Sequence, residues 1–202
     1  MRTAAATHGF AVAVNANSCL NGYMRFSSSS EQDTADIARR LAHHIAARTD
    51  ANGTDRPPHI FCLSGDLGAG KSVFCRAFIR HMAGDDTLDV PSPTFTLVQT
   101  YDSAATDGTA LPVYHFDLYR LDHPDDAYEL GIEDAFADGI CLIEWPDKLG
   151  DALDYLATTP PVRITLTQQD NDTRRLDIDG LPDDIARDMA AALSPHMTEG
   201  RA

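Results

Sequence analysis

The chain has 202 residues, with 31 acids against 16 bases and a formal net charge of −15. That length holds one domain with a small appendage, and 43% apolar content supports a real core and excludes wholesale disorder. The acid excess excludes a broad basic surface that grips nucleic acid by phosphate neutralisation, while leaving room for a local basic site or a basic partner.

Residues 1–29 are rich in Ala, Asn and Ser and read as a mobile leader. Met24 stands just before the first helix signal and is read as a candidate translation start. Residues 10–14 are too short an apolar run, and residues 1–8 too weakly basic, for a signal peptide. No stretch approaches the ~20 apolar residues of a membrane helix, so a cytoplasmic protein without a membrane partner is expected. Of the four cysteines, Cys19, Cys62, Cys75 and Cys141, no two form a C-x-x-C pair. Cys62 and Cys141 lie in apolar runs, as small hydrophobes of a reducing compartment do.

Ser30-Glu31-Gln32-Asp33 has capping-box form and opens a helix, with Ile37, Leu41 and Ile45 following at spacing four. A polar loop over 49–58 leads to the short apolar run 59–63, a buried parallel strand. A glycine-rich turn over 65–72 precedes a helix over 73–83, which Gly84 ends. Strands are expected over 94–101 and 113–119, a helix over 125–136 with Gly131 as its weak point, and a buried strand over 140–145 that Pro146 stops. Residues 162–167 and 174–178 read as a polar-faced pair of edge strands, and 181–193 as a last helix. Helices alternate with buried strands, so the fold class is α/β. The organisation is a leader (1–29), a main domain (30–180) and a C-terminal helix and tail (181–202).

The most informative segment is Gly65-Asp66-Leu67-Gly68-Ala69-Gly70-Lys71-Ser72, which fits G-x-x-x-x-G-K-[ST] at every fixed position. The glycines permit positive φ and let the backbone approach phosphate oxygens. Successive N–H groups and the following helix N-terminus present partial positive charge. Lys71, one of only 2 lysines, reaches the β/γ-phosphates, and the Ser72 hydroxyl can ligate Mg²⁺. The run lies between a strand and a helix, where such a loop has to lie. It marks a nucleoside-triphosphate site.

Such a site needs a carboxylate near the metal, at the C-terminal end of a neighbouring strand. Glu144 ends the apolar run 140–143, and Asp117 lies inside a strand on the same face as Val113, His115 and Tyr119. Acids embedded in apolar strands are costly and therefore informative. Catalytic roles are assigned to Lys71, Asp117 and Glu144, and metal binding to Ser72 and Glu144.

Gly65–Ser72, Ser92-Pro93-Thr94-Phe95-Thr96-Leu97-Val98, His115-Phe116-Asp117-Leu118-Tyr119-Arg120-Leu121, Leu130-Gly131-Ile132 and Ile143-Glu144-Trp145-Pro146 occur in one order at close spacing. Together they resemble the TsaE family, small P-loop ATPases of bacterial tRNA threonylcarbamoyladenosine biosynthesis, over about residues 30–180. The resemblance implies a three-layer P-loop nucleoside-triphosphatase sandwich, its central sheet mostly parallel with antiparallel edge strands. It implies a Mg²⁺-dependent ATPase, slow alone, that acts with TsaB and TsaD and meets tRNA indirectly through that complex. Residue by residue, Asp66, Leu67, Gly68, Ala69, Gly70, Lys71 and Ser72 would bind ATP phosphates, and Ser72 and Glu144 the Mg²⁺. Asp117 would assist hydrolysis through the metal or the attacking water. Residues 92–95, including Thr94, would form a switch near the γ-phosphate. Arg174 or Arg175, with Arg175 preferred, and Glu31 would contact the nucleotide. Ser72 stands where the family commonly has Thr, and the hydroxyl is retained.

Two other activities share the phosphate loop. A GTPase needs an N-K-x-D segment, and the only lysine outside the loop, Lys148, follows Asp147. A small-molecule or nucleotide kinase needs an arginine-bearing lid, which neither arginine pair obviously supplies, and it stands as the alternative.

Overall fold

A computed structural model describes residues 22–49, 59–104, 111–169 and 173–193. One seven-stranded sheet runs through them in the order β1-β7-β6-β2-β5-β4-β3. Its strands are β1 (Met24–Ser28), β2 (Ile60–Ser64), β3 (Val98–Tyr101), β4 (Val113–Asp117), β5 (Ile140–Glu144), β6 (Val162–Gln168) and β7 (Arg174–Asp179). The centre β6-β2-β5-β4 is parallel, while β1–β7, β7–β6 and β4–β3 pair antiparallel. This is the mixed α/β sheet expected of a P-loop fold.

The helices are α1 (Glu31–Thr49), α2 (Lys71–Ala83), α3 (Asp126–Glu129), α4 (Ile132–Asp138), α5 (Ala152–Leu156) and α6 (Asp183–Leu193). At the start of α1, Ser30 Oγ accepts the Asp33 N–H at 3.1 Å. Asp33 Oδ2 in turn accepts the backbone N–H and the hydroxyl of Ser29, at 2.8 and 2.7 Å. This reciprocal cap closes on Ser29 rather than Ser30, and such caps are worth about 1 kcal/mol.

Strand alternation divides the core in two. Phe61 and Leu63 of β2, Ile140 and Leu142 of β5, and Leu176 and Ile178 of β7 face α1, α2 and α6. Ile60 and Cys62, Cys141 and Ile143 face α3, α4 and α5. Phe61 and Phe78 set their rings 5.3 Å apart in the first core. Truncating such a buried ring costs about 3–5 kcal/mol.

Several expectations are corrected. The leader does not run to residue 29, because Met24–Ser28 form an edge strand on β7 with Met24, Phe26 and Ser28 buried and the residues between exposed. That period-two pattern hides in a Ser-rich stretch. Residues 1–21, the polar loop over 50–58 and the tail from 194 lie outside the described residues. The pair β6 and β7 is not at the edge, since β2 and β1 flank it. The strand expected from 94 begins at Val98, because Leu97 takes φ 65° and residues 94–96 form a turn. The helix over 125–136 breaks into α3 and α4 at Gly131, whose φ of 70° an α-helix does not allow. After β5, a short 3-10 helix, Pro146–Leu149, and then α5 were not foreseen.

Candidate functional site

Parallel strands β2, β5 and β4 end together, and the loop between β2 and α2 lies over their C-terminal ends. In this loop Gly65, Gly68 and Gly70 have φ of 142°, 80° and 106°, conformations that a side chain resists. A Cβ on Gly65 would come within 2.3 Å of the Leu166 carbonyl oxygen, so only glycine lets the loop close on β6. A cleft of about 300 Å³ opens between the loop, Glu31 at the first position of α1, and the ends of β4 and β5.

Lys71 begins α2 and is 4% exposed. Its Nζ donates to the carbonyls of Gly65 and Asp66 at 2.7 and 2.9 Å, and lies 4.0 Å from the Trp145 ring centroid. Burial pulls its pKa below the ordinary lysine value, while the charges of Glu144 and Asp117 push it back up. Trp145 reaches the lysine because β5 ends in a left-handed turn at φ 60°, an uncommon conformation for a bulky residue.

Alternation along β5 places Glu144 on the face of Ile140 and Leu142, under the start of α2. The Ser72 hydroxyl donates to Glu144 Oε2 at 3.2 Å, and the two oxygens offer ligands of the kind a hard divalent cation takes. On β4, Asp117 is paired in register with Glu144 and equally buried. Its Oδ2 accepts the hydroxyls of Ser92 and Thr94 at 3.0 and 2.6 Å, and its Oδ1 the Tyr119 N–H at 3.2 Å. Residues 92–95 are thereby tied to the acid.

The structure gathers Glu31, Leu67, Gly68, Gly70, Lys71, Ser72, Thr94, Asp117 and Glu144 around the cleft. Asp66 and Ala69 do not line it: the Asp66 carbonyl accepts from Lys71, and Ala69 is buried under the loop. The arginine register shifts by one. Arg174 lines the cleft, whereas Arg175 projects to the other face of β7 and bonds Asp177 Oδ2 at 2.9 Å. Strict alternation decides this, since Arg174 shares the face of Leu176 and Ile178. Sequence reasoning did not place Val73 or Tyr119 at the cleft, nor His115 against Glu144. The alternation that set Asp117 on the face of His115 was the available signal for His115.

Among the described residues, no helix is long and apolar enough to cross a membrane. The family profile described as "Threonylcarbamoyl adenosine biosynthesis protein TsaE" matches residues 28–176. A protein of Rickettsia conorii named tRNA threonylcarbamoyladenosine biosynthesis protein TsaE is 38% identical over 145 residues, which is 72% of this chain and 71% of that one. A like-named protein of Rickettsia bellii is 37% identical over 74% of this chain and 90% of its own length. The crystal structure of YdiB from Bacillus subtilis superimposes with a TM-score of 0.55 and 24% identity, covering 88% of this chain and 97% of that one. That likeness shows a shared fold.

Proposed function

This chain belongs to the TsaE family of threonylcarbamoyl adenosine biosynthesis proteins, and on that premise we propose that it serves tRNA threonylcarbamoyladenosine formation as the ATP-binding and ATP-hydrolysing subunit. It works in the cytoplasm with TsaB and TsaD, and reaches the tRNA through them. The acid excess fits this division of labour, because a chain with net charge −15 leaves phosphate contacts to its partners.

The loop N–H groups and the N-terminus of α2 cradle the phosphates. Lys71 exchanges the Gly65 and Asp66 carbonyls for β- and γ-phosphate oxygens, and Trp145 keeps water from its far side. Glu31 and Arg174 flank the nucleotide from α1 and β7. Ser72 and Glu144 would hold Mg²⁺, which would supply charge neutralisation for the phosphates. Asp117, fixed by Ser92, Thr94 and the Tyr119 N–H, positions the attacking water. Residues 92–95 act as the switch beside that position, with Phe95 80% exposed and the Arg120 guanidinium 4.1 Å from its ring centroid.

One observation carries the reading: the Ser72 hydroxyl of the phosphate loop meets Glu144 at the end of a parallel strand, with Lys71 buried beside both. The test is ATP hydrolysis in Mg²⁺ with and without TsaB, TsaD and substrate tRNA. Stimulation by the partners is expected. Unstimulated turnover, with phosphate passed to a small molecule, would favour the kinase alternative.

A further inference from the structure

His115 is a buried polar residue in direct contact with the site to which the nucleotide reading gives no task. It is 1% exposed and lies on β4, two residues before Asp117 and on the same face. Register sets it opposite Leu142 of β5, so Glu144 is its diagonal neighbour across the strand pair. Its Nε2 lies 3.0 Å from Glu144 Oε1. The two oxygens of this buried carboxylate are therefore divided: Oε2 takes the Ser72 hydroxyl and Oε1 the imidazole.

His115 Nδ1 has no hydrogen-bond partner among the described residues. That selects the tautomer. With the proton on Nε2, the ring donates to the carboxylate and buries one unpaired acceptor. With the proton on Nδ1, a lone pair would face the carboxylate and a donor would be buried unpaired, which is the worse arrangement on both counts.

We propose that His115 is a positioning residue for Glu144: its Nε2–H holds Oε1, fixes the carboxylate plane, and keeps Oε2 aimed at Ser72 and the cation site. This rests on the ATPase reading above. Cys75 is the third group here, its Sγ within 4.8 Å of the His115 and Glu144 ligand atoms. Burial first, and then the charges of Glu144 and Asp117, push its thiol well above the ordinary value. Partners that orient a metal-binding carboxylate typically contribute 10- to 100-fold in activity or metal affinity.

The test compares His115→Phe, which keeps the ring and loses the donor, with His115→Gln, which restores an N–H at similar reach. Each is assayed with the partner proteins for kcat, ATP KM and the Mg²⁺ concentration giving half-maximal rate. His115→Phe is expected to lower kcat, or raise the Mg²⁺ requirement, by about 10- to 100-fold with ATP KM within about twofold, and His115→Gln to recover most of the loss. If His115→Phe does not fold, His115→Asn, whose amide is too short to reach Glu144, takes its place against His115→Gln. Wild-type kcat and Mg²⁺ requirement in the donor-less variant, or equal losses in both variants, would overturn the assignment. So would stoichiometric zinc in the purified protein that disappears in Cys75→Ala. Absence of turnover in the wild type itself overturns the ATPase reading, and the positioning role with it.

Discussion

The two walls of the cleft are built in different ways. One wall is β2, the phosphate loop and α2, where glycines at positive φ and a helix N-terminus fix every group by main-chain geometry. The other wall is the irregular run 91–97, which reaches the site through the hydroxyls of Ser92 and Thr94 on Asp117 and leaves Phe95 in solvent. The first wall suits binding, which needs a cradle formed in advance. The second suits a step that a partner controls, because two hydroxyl hydrogen bonds are readily exchanged. A ligand or partner shifts such an element only by contacting its two arrangements differently.

Substitutions should respect this division. The largest effect is expected from Lys71→Ala on the fixed wall, which removes the charged contact to the phosphates and should weaken ATP binding by about 100-fold or more. Next come Glu144→Ala and Asp117→Ala, where the walls meet. These should lower kcat by roughly 10²- to 10³-fold with the fold intact by circular dichroism. Wild-type turnover in both, with partners present, would remove them from the mechanism. On the irregular wall, Ser92→Ala combined with Thr94→Ala deletes two hydrogen bonds of about 1 kcal/mol each. Turnover should drop roughly tenfold with ATP affinity unchanged, and a matching loss of affinity would erase the distinction between the walls.

The smallest effect is on stability and belongs to the helices behind the fixed wall. His44 on α1 and His81 on α2 have pKa values lowered chiefly by burial and then by the charge of His43. The unfolded chain then binds more protons than the folded one between the folded pKa and the ordinary value near 6.5. Stability should be full above that value and fall as pH drops through it. Urea unfolding at pH 7.5 and 5.5 would show the loss, and His81→Gln should flatten it. A slope that survives loss of both histidines would place the acid sensitivity elsewhere.

The fixed wall was legible in the sequence because its signals are local. The phosphate loop is eight consecutive residues, and Glu144 at the end of an apolar run and Asp117 inside a strand stand out as acids. The helix of Ile37, Leu41 and Ile45 likewise announces itself by spacing alone. What escaped depends on distant partners. Met24–Ser28 became a strand only by pairing with β7 (Met24 opposite Ile178, Ser28 opposite Arg174), far along the chain, and its serines masked the alternation. The choice between Arg174 and Arg175 is the exception, since alternation with Leu176 and Ile178, a local signal, puts Arg174 on the cleft side. His115 acquires a role only when β4 lies beside β5. The break at Gly131 was half legible, as a weak point whose left-handed φ sequence could not assign.

Calorimetric titration of the protein with ATP in Mg²⁺, run in parallel on the wild type and Lys71→Ala, tests the phosphate loop as the nucleotide site most directly. Saturable one-to-one binding in the wild type, lost in Lys71→Ala while thermal unfolding is unchanged, is the predicted result. Equal affinity in the two proteins would contradict the assignment of the phosphate loop as the nucleotide site.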